Sequence, residues 1–206
     1  MNPLLFGADF YGFQKIRPAA TYKYHYITMK YMIDRKLFEI VSNALGTSYV
    51  KQYPDNFDTR IIVQKTLYLL THGSSNPQTE LSYKWNFYLH GPYSPEISHM
   101  IYHMNEVWDD IPNKHVDLEE KDLKSIEHFK RLKKELEEKL KHDLQQVKEA
   151  ELFEIVATLI YLAEQLNNDR EKVQEKFREF KPKLDDKISR ATFQQIYSML
   201  QKYSYV

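Results

Sequence analysis

Cysteine is absent from the chain. That excludes disulfides, Cys-ligated zinc, iron–sulfur clusters and a cysteine nucleophile, and it fits a reducing cytosol. Glycine is scarce: five residues in 206, none arranged as GxGxxG or GxxxxGK[ST]. The ordinary phosphate-cradling loops are therefore missing. An excess of charge of one sign is missing too, because 29 Lys+Arg cancel 29 Asp+Glu. No global field draws phosphate polymers to such a chain. No apolar run approaches the roughly 20 residues that cross a bilayer, so no membrane partner is expected. The start lacks a charged segment followed by an apolar h-region and does not read as a secretory signal. The expected location is cytoplasmic.

What is abundant is tyrosine, sixteen residues against two tryptophans. A tyrosine buries its ring while its hydroxyl stays wet, which suits both a small aromatic core and a recognition surface. Residues 1–33 concentrate such rings. Phe6, Phe10, Tyr11, Phe13, Tyr22, Tyr24, Tyr26 and Tyr31 alternate with Lys15, Arg17, Lys23 and Lys30. Gly7, Gly12 and Pro18 break any long helix there. This stretch reads as an aromatic and basic N-terminal arm, or as residues upstream of a start at Met29 or Met32.

Residues 34–206 read as a single helical domain. Asp34 caps a helix with the apolar face Leu37, Phe38, Ile40, Val41 and Ala44, ended by Gly46. A loop is expected over Thr47–Phe57, then a helix capped by Asp58 or Thr59 and ended by Gly73. Tyr83–Leu89 alternates with the period of a half-buried strand, Tyr83, Trp85, Phe87 and Leu89 facing inward. Ser94-Pro95-Glu96 then starts another helix. Ile111–Leu118 is a candidate second strand, at an edge because of Pro112.

Residues 119–148 read as one long charged helix. Asp117–Lys148 holds nine Lys/Arg and nine Asp/Glu over a narrow apolar seam that includes Leu123, Ile126, Leu132 and Leu136. Ala150–Leu166 is the most apolar helix of the C-terminal half, and two more amphipathic helices follow it. The fold class expected is mostly α (α+β): a helical domain with a small two- or three-stranded antiparallel β element and a long charged helix.

Few residues assemble into chemistry. His99 and His103 share one helix face and are the candidate metal ligands, but no HExxH accompanies them. Gly-Pro-Tyr-Ser-Pro is not the G-x-S-x-G elbow of a serine nucleophile, and a helix cap accounts for Ser94. Gln64 is the more informative residue. A primary amide inside an apolar helix must satisfy two donors and an acceptor if buried. We expect it to hydrogen-bond the backbone of Gly91–Tyr93, with Tyr68 packed one turn on.

Taken together, Gln64-Lys65-x-Leu67-Tyr68, an aromatic strand and His90-Gly91-Pro92-Tyr93-Ser94-Pro95-Glu96 resemble the "LQK-x-x-Y … YGPYS-x-E" signature of YwgA-like proteins. More distantly they resemble the Panacea (SocA-like) domain of prokaryotic antitoxins. Ile155–Leu162 and Lys181-Pro182-Lys183 match the C-terminal part of the pattern, and His90 stands where tyrosine or phenylalanine is usual. The resemblance spans about 34–203. It implies a cytosolic, mostly helical protein of bacteria, archaea or their viruses, without enzymatic activity or cofactor. It makes Gln64, Lys65, Tyr68, His90, Gly91, Pro92, Tyr93 and Ser94 the structural or partner-binding motif. The expected function is a non-enzymatic protein-interaction module, an antitoxin or an accessory protein of a toxin–antitoxin or defence locus, with another protein such as a toxin as partner. The alternative is a winged-helix-like DNA-binding regulator.

Overall fold

The computed structural model describes residues 35–72, 83–107 and 116–206. The chain divides into two units, Met1–Ile33 and Asp34–Val206, and the described residues all belong to the second. The arm expected over 1–33 lies outside them. So do the cap expected at Asp34 and most of the strand expected at Ile111–Leu118.

The described part is mostly α with one small antiparallel sheet. Helix α1 covers 35–45. Gly46 ends it with φ 108°, a conformation that costs a side-chain-bearing residue energy. The chain then winds into a short helix α2, Thr47–Gln52, where a loop was expected. Burial explains the difference: Val50 and Tyr53 are sealed in the core, and Asn105 Nδ2 donates to the Val50 carbonyl at 2.8 Å. Tertiary contacts here outweigh weak local propensity.

Helix α3 is Phe57–His72. Its cap is Asn56, not Asp58 or Thr59: the Thr59 amide donates to Asn56 Oδ1 at 3.0 Å. Every residue from Ile61 to Leu70 is buried. A helix sealed all round belongs to the centre of a fold. The other central helix is α6, Glu149–Gln165, buried from Leu152 to Ile160. It packs against α3. Each fully buried Leu or Ile at this contact is worth about 1.5–3 kcal/mol.

Against both central helices, through its second strand, lies the hairpin. Strand β1, Asn86–Tyr88, pairs with β2, Gly91–Tyr93, in the register Asn86 with Tyr93, Phe87 with Pro92 and Tyr88 with Gly91. The partner strand is thus the Gly-Pro-Tyr corner itself. The strand is shorter than the Tyr83–Leu89 expected, but the alternation holds over 83–87: Tyr83, Trp85 and Phe87 are half-buried while Lys84 and Asn86 are exposed. It fails at Leu89, which is 82% exposed because it stands in the two-residue turn. Ser94 follows β2 and opens α4, Pro95–Val107; the Ile97 amide points at its hydroxyl at 3.5 Å.

Helix α5 is the charged one, and it is shorter than expected: Glu120–Lys139. The Glu119 amide donates to Asp122, half of a capping box. No glycine or proline ends it. Leu136 and Leu140 are buried, and the chain reverses through turns at 140–146 so that α6 can return through the core. On the seam, Phe129 is buried while Leu123 is half exposed. Helices α7 (Arg170–Phe180), α8 (Pro182–Asp185) and α9 (Arg190–Lys202) complete the described residues. Asn167 and Asn168, both at positive φ, end α6, and Asp169 caps α7.

Candidate functional site

Two neighbouring residues of α3 hold the hairpin corner. Gln64 Nε2 donates to the Ser94 carbonyl at 3.1 Å, and the Ser94 amide donates back to Gln64 Oε1 at 3.1 Å. The amide side chain thus pairs with a backbone unit as another strand would. Its second N–H reaches the Tyr53 hydroxyl at 3.2 Å, and that hydroxyl meets Ser98 Oγ at 2.7 Å. The contact falls on Ser94, one residue beyond the expected 91–93. That stretch is held by Lys65 instead, whose Nζ donates to the Pro92 carbonyl at 2.7 Å.

Gly91 is required where it stands. Neither Leu89 nor His90 has positive φ, so the left-handed conformation of the turn falls on Gly91 at 84°. A Cβ there would also lie 2.8 Å from Thr158 Oγ1 of α6. β2 passes so close to α6 that only glycine fits.

A buried charge cluster fastens the other side. Glu154 of α6 receives Lys181 Nζ at 2.7 Å on one oxygen and His90 Nδ1 at 2.9 Å on the other. Lys181 also donates to the Leu89 carbonyl and lies 5.5 Å from the Phe87 ring centroid. Glu154 and Lys181 are both buried, while the His90 side chain is 40% exposed. Burial pushes the Lys65 amine down to about 7, with Lys181 acting the same way and Glu154 opposing. The ion pair that fastens this side of the hairpin is Lys181 with Glu154.

Around this frame the surface is apolar and concave on two sides. Phe57, Tyr88, Leu89 and Phe180 are exposed large hydrophobic residues, and all four border the hairpin. A cleft of about 370 Å³ lies on the Arg60 and Tyr102 side. A second, of about 600 Å³, lies on the Glu154 and Lys181 side. Phe57, Leu89 and His90 line both and form the ridge between them, the Phe57 and His90 rings packing edge-on at 5.2 Å.

The structure therefore brings Gln64, Lys65, His90, Gly91, Pro92, Tyr93 and Ser94 together. Tyr68 sits apart from the corner's backbone. It is buried, donates to Glu164 at 3.2 Å, stacks on His72 and meets Trp85 edge-on. Burial and the Glu164 carboxylate raise its hydroxyl well above the usual tyrosine range. His99 is exposed and His103 half-buried on α4, and no group of three or more metal-ligating side chains forms among the described residues.

The residues that sequence reasoning missed are Glu154, Lys181 as its partner, Tyr53, Arg60 and Tyr102. One signal was available. Glu154 is an acid between Phe153 and Ile155 in the most apolar helix, and a charge placed there needs a partner. Tyr53 and Tyr102 carried no such signal. No family model, curated protein or solved structure matches the chain significantly.

Proposed function

We propose that this chain is a non-enzymatic protein-interaction module of a prokaryote or its virus, serving as an antitoxin or accessory protein of a toxin–antitoxin or defence locus. It acts in the cytoplasm, and its partner is another protein. The observation that carries the reading is the ridge of Phe57, Tyr88 and Leu89 at the tip of a hairpin fixed from behind by Gln64, Lys65, Glu154 and Lys181. Exposed large apolar side chains gathered on one patch favour a protein surface. Because the backbone beneath is fully tied down, little entropy is lost on docking.

A nucleic-acid partner is less well supported. A DNA-reading wing places Arg or Lys at its tip, where phosphates can be met. Here the tip is Leu89-His90, and net charge is zero. The resemblance to YwgA-like and Panacea-like proteins agrees with protein capture.

The test is co-expression with each neighbouring gene of the native locus. The wild-type chain should suppress the lethality of one neighbour, and Leu89→Asp should not, at unchanged melting temperature. Failure to rescue any neighbour, or full rescue by Leu89→Asp, would count against the proposal.

A further inference from the structure

We infer that the cleft of about 370 Å³ between Arg60 and the hairpin is a binding site for a small carboxylate carried on a flat apolar body. The site shares Phe57, Tyr88 and Leu89 with the ridge, but its test does not depend on partner capture.

Charge is the first argument. The lining includes Arg60, Lys65 and His90 and contains neither Asp nor Glu. Lys65 Nζ is spent on the Pro92 carbonyl and His90 Nδ1 on the Glu154 carboxylate, so Arg60 is the charge that the cleft offers to an anion. Arg60 supplies the fixed charge, since a guanidinium does not lose its proton.

Geometry is the second. Nη1 of Arg60 donates to the Tyr102 hydroxyl at 2.9 Å, and the guanidinium lies 5.5 Å from the Phe57 ring centroid. These contacts aim the group. Its Nε is buried and has no hydrogen-bond partner. A buried donor without an acceptor is rare in a native fold. Nε and Nη2 together form the edge of a guanidinium that a carboxylate grips with both oxygens. Arg60 therefore brings to the cleft a fixed charge whose donors are not all used within the protein.

Shape is the third. The walls include the rings of Tyr53, Phe57, Tyr93 and Tyr102, and the volume lies within the range of small-molecule sites. Such walls favour a planar apolar body over a sugar or a polyphosphate. One guanidinium edge also matches the two oxygens of a carboxylate better than the three of a phosphate, which draws on clustered backbone amides or several cations.

The experiment is calorimetric titration of the full chain with 3-phenylpropionate, its neutral amide 3-phenylpropanamide, and phenyl phosphate. The acid should bind, and the amide should bind more weakly by roughly tenfold or more, the discrimination expected of a charge-assisted pair. Arg60→Gln should weaken the acid by a similar factor, and Arg60→Lys should not restore it, because the fork is lost. Arg131→Gln, on the exposed face of α5, should bind as wild type does. The comparison of acid with amide uses the unaltered protein, so a variant that folds poorly cannot mask the answer. No saturation by the acid up to roughly 10 mM would overturn the proposal. So would equal affinity for acid and amide, an unchanged Kd in a folded Arg60→Gln, or tighter binding of the phosphate.

Discussion

Lysines do two different kinds of work in this molecule. On the outer face of α5 they stand in water. Lys134 meets Glu138 at 3.8 Å with both side chains mostly exposed, and Lys124 and Glu120 form a similar pair. Behind the hairpin the same residue type is buried: Lys65 and Lys181 are 2% and 5% exposed and reach backbone carbonyls. The exposed pairs keep a helix soluble and add little else. The buried ones fix the path of the chain, because a desolvated amine tolerates only a geometry that satisfies it. The same chemical group is decoration in one region and specification in the other.

The strongest way to break this contrast is Glu154→Ala. It would leave Lys181 buried without its carboxylate and remove the acceptor of His90. The expected loss is about 3–5 kcal/mol, the cost of an uncompensated buried charge. Glu154→Ala with Lys181→Met should lose less than Glu154→Ala alone, since apolar replacement of a buried pair is often tolerated. Urea unfolding measures both. If Glu154→Ala cost no more than an α5 substitution, the distinction between the two lysine environments would collapse.

Next in size is Gly91→Ala. The substitution forces a side chain into left-handed backbone and drives a Cβ to 2.8 Å from Thr158 Oγ1. Strain and crowding together should cost about 2–4 kcal/mol. Thr158→Ala in the same chain should recover the crowding part and leave the backbone part. A double-mutant cycle separates them, and full additivity would mean that β2 does not press on α6.

The two regions also differed in how much of them could be read in advance. The charge pattern of 119–148 announced an exposed helix, because mixed signs at i,i+4 spacing are a local property. The apolar helices α3 and α6 were legible for the same reason. Within the corner, Gln64 stood out as an amide in an apolar run, and Gly-Pro-Tyr-Ser-Pro as a chain that must turn. What could not be read was pairing at a distance. Glu154 lies 64 residues from His90 and 27 from Lys181. Nothing local reveals that they converge. The early end of α5 was hidden likewise, since the reversal at 140–146 follows from the packing of Leu136 and Leu140 and from no breaker residue. Leu89 misled because strand alternation continues into a turn whose position only Gly91 fixes.

Acidity offers a finer probe of the buried side. Lys65 titrates at about 7 in the folded chain and at the ordinary 10.5 when unfolded. Between these values the unfolded state holds more protons, so this group makes stability rise with pH through the window. Below 7 both states are protonated and its contribution is flat, with the cost of the buried charge fully present. The slope should reach about 1.4 kcal/mol per pH unit at most. Other groups titrate in the same range, so the readout is wild type minus Lys65→Met, followed from pH 7 to about 9.5, below the usual range of tyrosine. The difference should change with pH in the direction that favours the wild type at higher pH. Parallel curves would mean that the amine stays charged inside the fold, balanced by Glu154.

The smallest effect completes the contrast. Lys134→Ala removes an amine that is 76% exposed and 3.8 Å from its partner. Its interaction with Glu138 is screened by water and opposed by the rotamer entropy of both side chains. Stability should change by less than about 0.5 kcal/mol, and added salt should leave even that difference smaller. A loss several times larger would place α5 among the elements that specify the fold. Its charged face would then have to be reread as a surface that something else covers, because only exclusion of water gives an isolated pair of that length so much energy.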